Sequence, residues 1–444
     1  MLMTFFRSFY LDKRFFLALG GVVLLFVVGY IVPGLFFFAK LSVVVVVALV
    51  VVDLLLLYRG RGLRASREAP ERFSNGDDNE IRVHVESGYA FPARISVVDE
   101  LPFQFQVRDN NFDLVVPPGG RKILSYSLRP TERGEYHFGA VNVFVAGPIG
   151  MARRRYRFSQ NQMVPVYPSY IQMRRYELLA VSNRLNEAGI KKIRRIGQTM
   201  EFDQIREYVR GDDYRTINWR ATARKMSFMV NQYQDERSQP VYSLIDKGRV
   251  MKMPFEGMSL LDYAINTSLV ISNIALLKND RAGLITFAEK MGNVIPAERR
   301  RAQMQQILEV LYNQQTNFLE SSYELLYANI RQRIKGRSLL FLYTNFETLT
   351  SLQRDLPYFR KIARDHLLVV VFFENTELRT LLETPATNTE EIYLKTIAEK
   401  FAFEKRQIVK ELQRYGIHSI LTPPSGLTVN TINKYLELKA RRLI

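Results

Sequence analysis

Two long apolar runs lie near the start of the chain, and a more polar sequence follows them. The first run, 15–32, carries no charged residue, and at about 1.5 Å per residue a helix of this length nearly crosses the hydrocarbon core of a bilayer. After a Pro-Gly break, the second run covers 41–57 and contains a single ionisable residue, Asp53. The pattern predicts a two-helix transmembrane hairpin over 1–59.

The basic residues that flank this hairpin predict its orientation, since lysine and arginine are enriched in cytoplasmic loops. They precede the first run and follow the second, whereas the connecting turn holds Lys40 alone. We expect a multi-pass protein of the bacterial inner (cytoplasmic) membrane with both termini in the cytoplasm. Asp53 lies near the basic end of its run, where we expect water or a neighbouring arginine to reach it.

Alternating apolar positions between 70 and 165 predict short strands. A strand presents every second side chain on one face, and turn sequences rich in proline and glycine separate the alternating segments. We expect an antiparallel β-sandwich without a catalytic cluster. The alternating segments lie at 81–85, 103–107, 124–128 and 141–145.

A basic run, 153–157, closes this region with arginine at every position except Tyr156. Two interpretations stay open. The run can be a patch for lipid headgroups or nucleic acid, or an exposed last strand whose charges protect a sheet edge from aggregation.

Strand and helix patterns alternate from 236 to 444. Such alternation predicts an α/β domain with a doubly wound parallel sheet. Ligands of these sheets bind beyond the carboxyl ends of the strands, which places Asp246 and Asn345 at the informative edge. The predicted strands are 241–245, 283–287, 339–343, 367–372 and 419–421, with helical stretches at 260–277, 301–311 and 391–415.

Charge and cysteine content narrow the functional classes. The 62 lysines and arginines exceed the 44 acidic residues, so the formal charge of +18 favours an anionic partner such as lipid headgroups, nucleic acid or an acidic protein. No nucleic-acid-binding module supports a specific nucleic acid partner. The absence of cysteine excludes disulfides, zinc–thiolate sites and cysteine nucleophiles. The four histidines are scattered without ligand spacing.

The densest group of charged residues lies between 197 and 224, within a predicted block at 190–235. Apolar residues at helical spacing predict a short helix that ends at Gly211, and Asp212 or Asp213 can cap a second helix. The carboxylates of this block can bind a hard cation or share protons, but interleaved arginines would neutralise them. We therefore predict a structural ion-pair network, with Trp219 anchored in a core. The predicted network comprises Glu201, Asp203, Arg206, Glu207, Arg210, Gly211, Asp212, Asp213, Arg215, Asn218, Trp219 and Arg224.

At these residues the sequence resembles the family called domain of unknown function 58. The family signature, Gly-Asp-Asp-x-Arg-x-Ile-Asn-Trp followed by Ala-x-Ala-Arg, matches 211–219 and 221–224. The resemblance extends to the hairpin and to a segment of the Arg-Gly-x-Tyr-x-Phe-Gly kind within 131–139. It implies a von Willebrand factor A-like domain over 236–444. It also implies association with MoxR-type AAA+ ATPases, which are thought to act as chaperones for complexes.

The metal site that an A-like domain would carry is degenerate in this sequence. An Asp-x-Ser-x-Ser motif would follow the first strand, but both serines are missing after Asp246. Lys247 and Arg249 add positive charge there, so we expect no metal; magnesium at Asp246 is the alternative. We hypothesise that Lys247 and Arg249 attract a partner carboxylate directly. Solvation, or pairing with Asp246 and Glu256, is the competing interpretation. The predicted partner-binding residues are Asp246, Lys247, Arg249 and Asn345.

These observations favour an adaptor over an enzyme. We predict a membrane-anchored, cytoplasm-facing scaffold that binds protein partners, with a MoxR-type AAA+ ATPase, in complex assembly, maturation or stress response. We expect no catalytic residue and no cofactor. Two alternatives remain: a metal-dependent hydrolase that uses the acidic signature block, and a basic protein that binds anionic lipid or nucleic acid.

Overall fold

The computed structural model describes residues 7–59, 62–107, 110–181, 189–190, 200–235, 238–386, 388–441 and 443. The chain divides into two units, Met1–Tyr167 and Pro168–Ile444. The first unit holds a helical hairpin and three β-sheets, and the second holds a six-stranded mixed sheet with its helices and two small two-stranded sheets. The domain limits given above for the sequence remain predictions.

The two predicted apolar helices are confirmed. Helix α1 spans Lys13–Ile31, a 3-10 turn covers Pro33–Leu35, and helix α2 spans Phe36–Arg59. Both helices are long and apolar enough to cross a membrane, and most of their apolar side chains are exposed within the protein, as is expected of helices surrounded by lipid. They indicate membrane association. Among the described residues a third helix, Leu260–Leu277, meets the same criterion, but it is mostly buried inside the second unit.

Eleven strands of the first unit form three sheets within its described residues. The sheet orders are β1-β10-β9-β5-β6, β2-β4-β7 and β3-β11-β8, and all pairings are antiparallel except that of β3 with β11. The strands are β1 (Phe9–Leu11), β2 (Leu63–Glu68), β3 (Phe73–Ser74), β4 (Asn79–Ser87), β5 (Ala93–Asp99), β6 (Asn111–Val116), β7 (Arg121–Leu128), β8 (Gly134–Phe138), β9 (Val141–Ala146), β10 (Ala152–Phe158) and β11 (Gln162–Tyr167).

The first two of these sheets share one apolar core, which confirms the predicted sandwich. Val83 of β4 and Val143 of β9 belong to the same buried cluster, because alternation places every second side chain of each strand inward. Three of the four predicted strands are confirmed, and the one at 103–107 is wrong. There a 3-10 turn, Phe103–Phe105, follows Pro102, which cannot donate to a sheet ladder.

A buried carboxylate joins helix α2 to the sandwich. Asp53 is fully buried and accepts hydrogen bonds from three backbone N–H groups of the β9–β10 turn: Ile149 at 3.0 Å, Met151 at 2.7 Å and Ala152 at 3.2 Å. The expected water or arginine partner is therefore replaced by backbone amides. Only glycine fits at position 147 in the same turn, because a Cβ there would overlap the Asp53 carboxylate.

The arginine run does not form the predicted exposed last strand. Its strand, β10, pairs with β1 on one side and β9 on the other, so it is an interior strand of its sheet. Arg154 donates to the Leu57 carbonyl of α2 at 2.8 Å and lies over the Tyr58 ring. Arg155 donates to the Asn142 side chain at 2.7 Å. The segment before α1 supplies β1, which the sequence pattern did not reveal.

The second unit contains an α/β sheet with helices between its strands. Its helices are α3 (Tyr170–Val181), α4 (Trp219–Lys225), α5 (Leu260–Leu277), α6 (Gln303–Tyr312), α7 (Tyr323–Arg333), α8 (Leu349–Asp365), α9 (Thr376–Glu383), α10 (Thr389–Arg414) and α11 (Leu427–Ala440). Its strands are β12 (Met200–Glu207), β13 (Met229–Asp235), β14 (Pro240–Asp246), β15 (Pro254–Phe255), β16 (Met258–Ser259), β17 (Arg281–Phe287), β18 (Met291–Glu298), β19 (Leu339–Tyr343), β20 (Leu367–Phe373) and β21 (His418–Thr422).

The large sheet has the order β18-β17-β14-β19-β20-β21. Strands β17, β14, β19, β20 and β21 run parallel, as predicted, and all five predicted strand segments are present. The sheet is mixed, however, because β18 runs antiparallel at one edge. The turn between β17 and β18 is too short for the crossover that a parallel strand would need.

We predict that Asp53→Ala destabilises the full-length protein in detergent by at least about 2 kcal/mol, since it leaves three backbone N–H groups in a partly buried turn and at the start of β10 without their acceptor. Chemical unfolding followed by circular dichroism measures the difference. The exposed Asp78 provides a matched control, and Asp78→Ala should stay within about 0.5 kcal/mol of the wild type. Equal stability of the two variants would refute the role assigned to Asp53.

Candidate functional site

The candidate site lies where the strand order of the large sheet reverses. The chain runs outward from β14 to β17 and β18 on one side, then continues with β19, β20 and β21 on the other. The connections leaving β14 and β19 therefore diverge at their carboxyl ends, where open α/β sheets bind ligands. Asp246 is the last residue of β14, and Thr344 and Asn345 directly follow β19. The structure thus brings Asp246 and Asn345 to the predicted edge.

Asp246 is fully buried and accepts four hydrogen bonds from the protein. Its Oδ1 accepts from the Gly248 N–H at 2.8 Å and from the Ser321 hydroxyl. Its Oδ2 accepts from the Tyr323 hydroxyl at 2.9 Å and from the Thr344 hydroxyl at 2.7 Å. An ionised carboxylate can accept about four hydrogen bonds, so these four donors fill all the acceptor positions of Asp246.

Burial raises the pKa of the Asp246 carboxyl, while the hydrogen bonds from Ser321, Thr344, Gly248 and Tyr323 act in the opposite direction. A divalent cation at Asp246 would have to displace one of these donors. Among the described residues, moreover, no group of three or more His, Cys, Asp or Glu side chains that could hold a metal ion occurs. The donor set fits a closed hydrogen-bond network better than an open coordination shell.

A cavity of about 310 Å³ opens beside Asp246. Its wall carries charge of both signs: Arg354 pairs with Glu320 at 2.7 Å and approaches Asp355 at 3.4 Å. Arg249 also lines the cavity. The cavity can therefore receive a polar group, with Arg249 and Arg354 as the cations that face it.

Lys247 and Arg249 lie in the loop after β14 and do not bind Asp246. The Lys247 ammonium donates to the Gln315 carbonyl at 3.2 Å, and the backbone N–H of Lys247 donates to the Phe287 carbonyl. Arg249 is exposed and has no carboxylate partner among the described residues. Asp246 is instead bound by Gly248, Ser321, Tyr323 and Thr344, and Arg249 remains accessible from the cavity.

The buried side chain of Asn345 is bound by a lysine that the sequence analysis did not identify. The Lys405 ammonium, on α10, donates to the Asn345 side-chain oxygen at 2.9 Å and to the Phe373 carbonyl. Burial lowers the pKa of Lys405 to about 8, against the opposing influence of Glu347 and Glu374. Only the tertiary structure could identify this contact, because 60 residues separate Lys405 from Asn345.

The signature block forms a hairpin, β12 paired with β13, with α4 in its connection. The predicted first helix is wrong: apolar residues at 202, 205 and 209 fit a helical period, but strand pairing with β13 overrides that local pattern. Gly211 does mark a sharp turn, at φ +117°, where other residues are strained. Asn218 rather than Asp212 or Asp213 caps α4, accepting from the Ala221 N–H at 3.0 Å.

The predicted ion-pair network is reduced to one pair among the described side chains of the block. Arg206 binds Asp212 through two hydrogen bonds of 2.8 and 2.6 Å, which hold the pKa of Asp212 below its ordinary value. Asp213 instead accepts from the Arg215 N–H at 2.9 Å. The side chains of Glu201 and Asp203 lie outside the described residues.

Trp219 is not anchored in a core. Its side chain is 67% exposed, and Met226, at the other end of α4, is 97% exposed. Helix α4 contacts β13 through Thr222, whose hydroxyl accepts from the Met229 N–H at 2.9 Å. We call the following exposed apolar side chains of the hairpin the signature surface: Ile205, Tyr208, Val209, Tyr214, Trp219, Met226 and Phe228.

Four arginines of the signature block form no ion pair with the described residues. In the described part of the chain, no carboxylate side chain pairs with any of them, although Arg215 lies over the Tyr214 ring. Glu207 is exposed at the end of β12. The four are Arg210, Arg215, Arg220 and Arg224.

We predict that Tyr323→Phe lowers the free energy of unfolding by about 1–3 kcal/mol at neutral pH, because Asp246 loses a hydrogen-bond donor. The lost donor raises the folded-state pKa of Asp246 further. A raised folded-state pKa means that stability falls as pH rises through it, so the deficit of the variant should grow as pH rises and shrink in acid. Urea unfolding across pH measures this dependence.

The control for this substitution is Tyr327→Phe, four residues later on α7. The Tyr327 hydroxyl has no hydrogen bond to the described part of the chain. This variant should match the wild type at every pH. A Tyr323→Phe deficit that is constant with pH would contradict an interaction with the Asp246 charge.

Comparisons with known proteins agree with the signature. Residues 204–379 match the family described as "Protein of unknown function DUF58". The uncharacterized protein YeaD of Bacillus subtilis (strain 168) is 25% identical over 254 residues, which cover 55% of this chain and 61% of that relative. The match thus spans less than two thirds of the length of the relative.

Two solved structures show weak similarity to parts of the chain. The C-terminal domain of wzt is 13% identical, with 24% of this chain and 75% of that chain covered at a TM-score of 0.19. A PapD-like domain of human CEP192 is 11% identical, with 25% and 88% covered at a TM-score of 0.19. Scores this low support no inference. The segment similar to the DUF58 family includes the signature at 211–224 and strands β14 to β20.

Proposed function

We propose that the chain is a membrane-anchored adaptor that faces the cytoplasm and binds protein partners through its second unit. The observation that carries this proposal is the signature surface, where apolar and aromatic side chains stand exposed beside arginines without carboxylate partners. Exposed apolar groups of this size on a folded domain mark interaction sites. Trp, Tyr, Phe, Met and Arg are also the residue types enriched in protein interfaces.

The individual exposures on this surface support contact with a partner. Trp219 and Met226 project from the two ends of α4, and Tyr208 and Phe228 contact each other edge to face at 6.4 Å. A tryptophan held on a short helix loses little conformational freedom on binding and can fill a pocket of the partner. The arginines favour a partner surface that is acidic.

We further propose that 236–444 is a von Willebrand factor A-like domain. Two features of the large sheet support this assignment. Its third strand in chain order, β18, is antiparallel at one edge, and Asp246 lies where the strand order reverses. The loop after β14 then provides a second contact, in which Lys247 and Arg249 attract a carboxylate of the partner. The Asp246 network keeps this loop in place without a metal ion.

The proposed partner is a MoxR-type AAA+ ATPase, and the proposed role is assembly or maturation of a complex at the membrane. The family resemblance supports this partner, and the hairpin supports its location. Basic residues on both sides of the hairpin support cytoplasmic termini. We assign no catalytic role to the chain.

We predict that Trp219→Ala weakens binding of the MoxR-type ATPase from the same organism by about 2 kcal/mol, roughly thirtyfold in Kd. The full-length protein in nanodiscs, immobilised for biolayer interferometry, permits the measurement. Phe103→Ala is the control, because Phe103 is an aromatic residue of the first unit that is even more exposed than Trp219. Unchanged binding by Trp219→Ala, or no binding by the wild type with and without ATP, would reject the proposal.

The loop after β14 requires a separate test. Lys247→Ala combined with Arg249→Ala should lower the affinity for the same ATPase about tenfold at low salt, and the difference should narrow at high salt because screening weakens exposed charge pairs. Lys290→Ala combined with Arg301→Ala removes two other exposed charges from the same unit and serves as control. Equal losses in both double variants would show an effect of net charge alone.

A further inference from the structure

A second cavity, of about 590 Å³, lies in the first unit at the foot of helix α1. Its wall combines the first turn of α1, the turn between β9 and β10, and side chains from β5, β6, β7 and β10. Cavities of roughly 300–1,000 Å³ are typical of ligand sites. We call this cavity the foot pocket. Its basic side chains are Lys13, Arg14, Arg94, Lys122 and Arg153.

The foot pocket carries an excess of positive charge. Two carboxylates face its five cations, and both are already engaged. Asp12 pairs with Arg153 at 2.7 Å and accepts from the Lys13 N–H at 2.7 Å, while Asp113 accepts from the Ser96 hydroxyl. The side chains that line the pocket therefore have a net charge of about +3, which favours an anionic ligand.

Most of these cations have donors to spare within the described part of the chain. Lys13 and Arg94 pair with no carboxylate there. Lys122 reaches only the Val115 carbonyl, at 3.4 Å, and Arg14 donates to the Ile149 carbonyl at 3.2 Å. The Nε–H of Arg153 is buried without a hydrogen-bond partner. Unsatisfied donors on several sides of one cavity fit an anion with several acceptor oxygens.

The position of the pocket indicates which anion it meets. Lys13 and Arg14 are the first residues of α1, and the uncharged run that crosses the membrane begins at the next residue, Phe15. The β9–β10 turn that lines the pocket also binds Asp53 of α2, so both helices leave the sandwich at this level. The pocket thus opens where α1 passes from polar to apolar surroundings, at the depth of lipid headgroups.

We propose that the foot pocket binds the phosphate-bearing headgroup of an anionic phospholipid. The guanidinium groups of Arg94 and Arg14 suit phosphate oxygens, and the acyl chains of such a lipid would extend along the exposed apolar side of α1. Basic pockets beside transmembrane helices recognise headgroups in this way. The site is independent of the signature surface and of any protein partner.

The test uses the full-length protein in detergent, with phosphatidylglycerol, phosphatidylcholine or inorganic phosphate added. We expect phosphatidylglycerol to raise the unfolding temperature in a saturable manner, phosphatidylcholine to leave it unchanged, and inorganic phosphate to act only far above the lipid concentration. Native mass spectrometry should show a retained phosphatidylglycerol molecule. Stabilisation by inorganic phosphate at the same concentration as the lipid would overturn the assignment to a lipid headgroup.

Arg94→Gln combined with Lys122→Gln should raise the apparent Kd for phosphatidylglycerol at least tenfold. Both side chains are exposed, so the unfolding temperature without lipid should match the wild type. Arg82→Gln combined with Arg121→Gln removes the same charge from exposed positions of β4 and β7 outside the pocket and should leave lipid binding unchanged. Equal loss in the two double variants would overturn the proposal, because it would reduce the effect to net charge.

Discussion

The hydrogen bonds between the Asp53 carboxylate and the β9–β10 turn are the contact on which the architecture of the first unit depends. A carboxylate inside an apolar helix is costly unless donors surround it, and here three backbone N–H groups of one turn supply them. The N–H groups of this turn, for their part, donate to the Asp53 carboxylate and not to a neighbouring strand. Each side removes an unmet polar requirement of the other, so the membrane helix and the sandwich form one body.

Neighbouring contacts extend this junction. Arg154 and Tyr89 both donate to the Leu57 carbonyl near the end of α2, and Leu57 itself lies in the sandwich core. The strand before α1 pairs with β10. Contacts with β10 therefore hold both the start and the end of the hairpin. These contacts also fix the position of the foot pocket relative to the two helices. Arg154, for which the sequence left a ligand patch and an exposed edge strand as alternatives, contributes to this junction.

The second unit uses a buried carboxylate differently. Asp246 is held by three hydroxyl groups and one N–H at the reversal point of the sheet, and it forms no ion pair with a cationic side chain of the described residues. Its network fixes the loop that carries Arg249 toward the cavity. A second accessible region of the unit is the signature surface, where aromatic side chains and arginines are exposed. A buried hydrogen-bond network and an accessible apolar surface are consistent with the proposed binding of a protein partner.

The sequence by itself determined the elements that arise from local pattern. The uncharged run at 15–32, the alternation in β4, β7 and β9, and the aliphatic strands of the α/β sheet follow from periodicity, because each segment buries its own apolar side. The signature at 211–224 likewise indicated the family whose description matches residues 204–379. Local pattern also placed Asp246 and Asn345 at one edge, since carboxyl ends of parallel strands meet there.

Only the tertiary structure decided which partners the polar residues meet. Asp53 and Ile149, Asp246 and Tyr323, and Asn345 and Lys405 lie 96, 77 and 60 residues apart, and no periodicity connects them. The helical spacing in 200–207 failed for the same reason, because pairing with β13 outweighs a weak local preference. Trp219 is exposed, whereas Thr222 of the same helix binds β13. Hydrogen-bond partners and burial are properties of the assembled fold, and a local pattern cannot specify them.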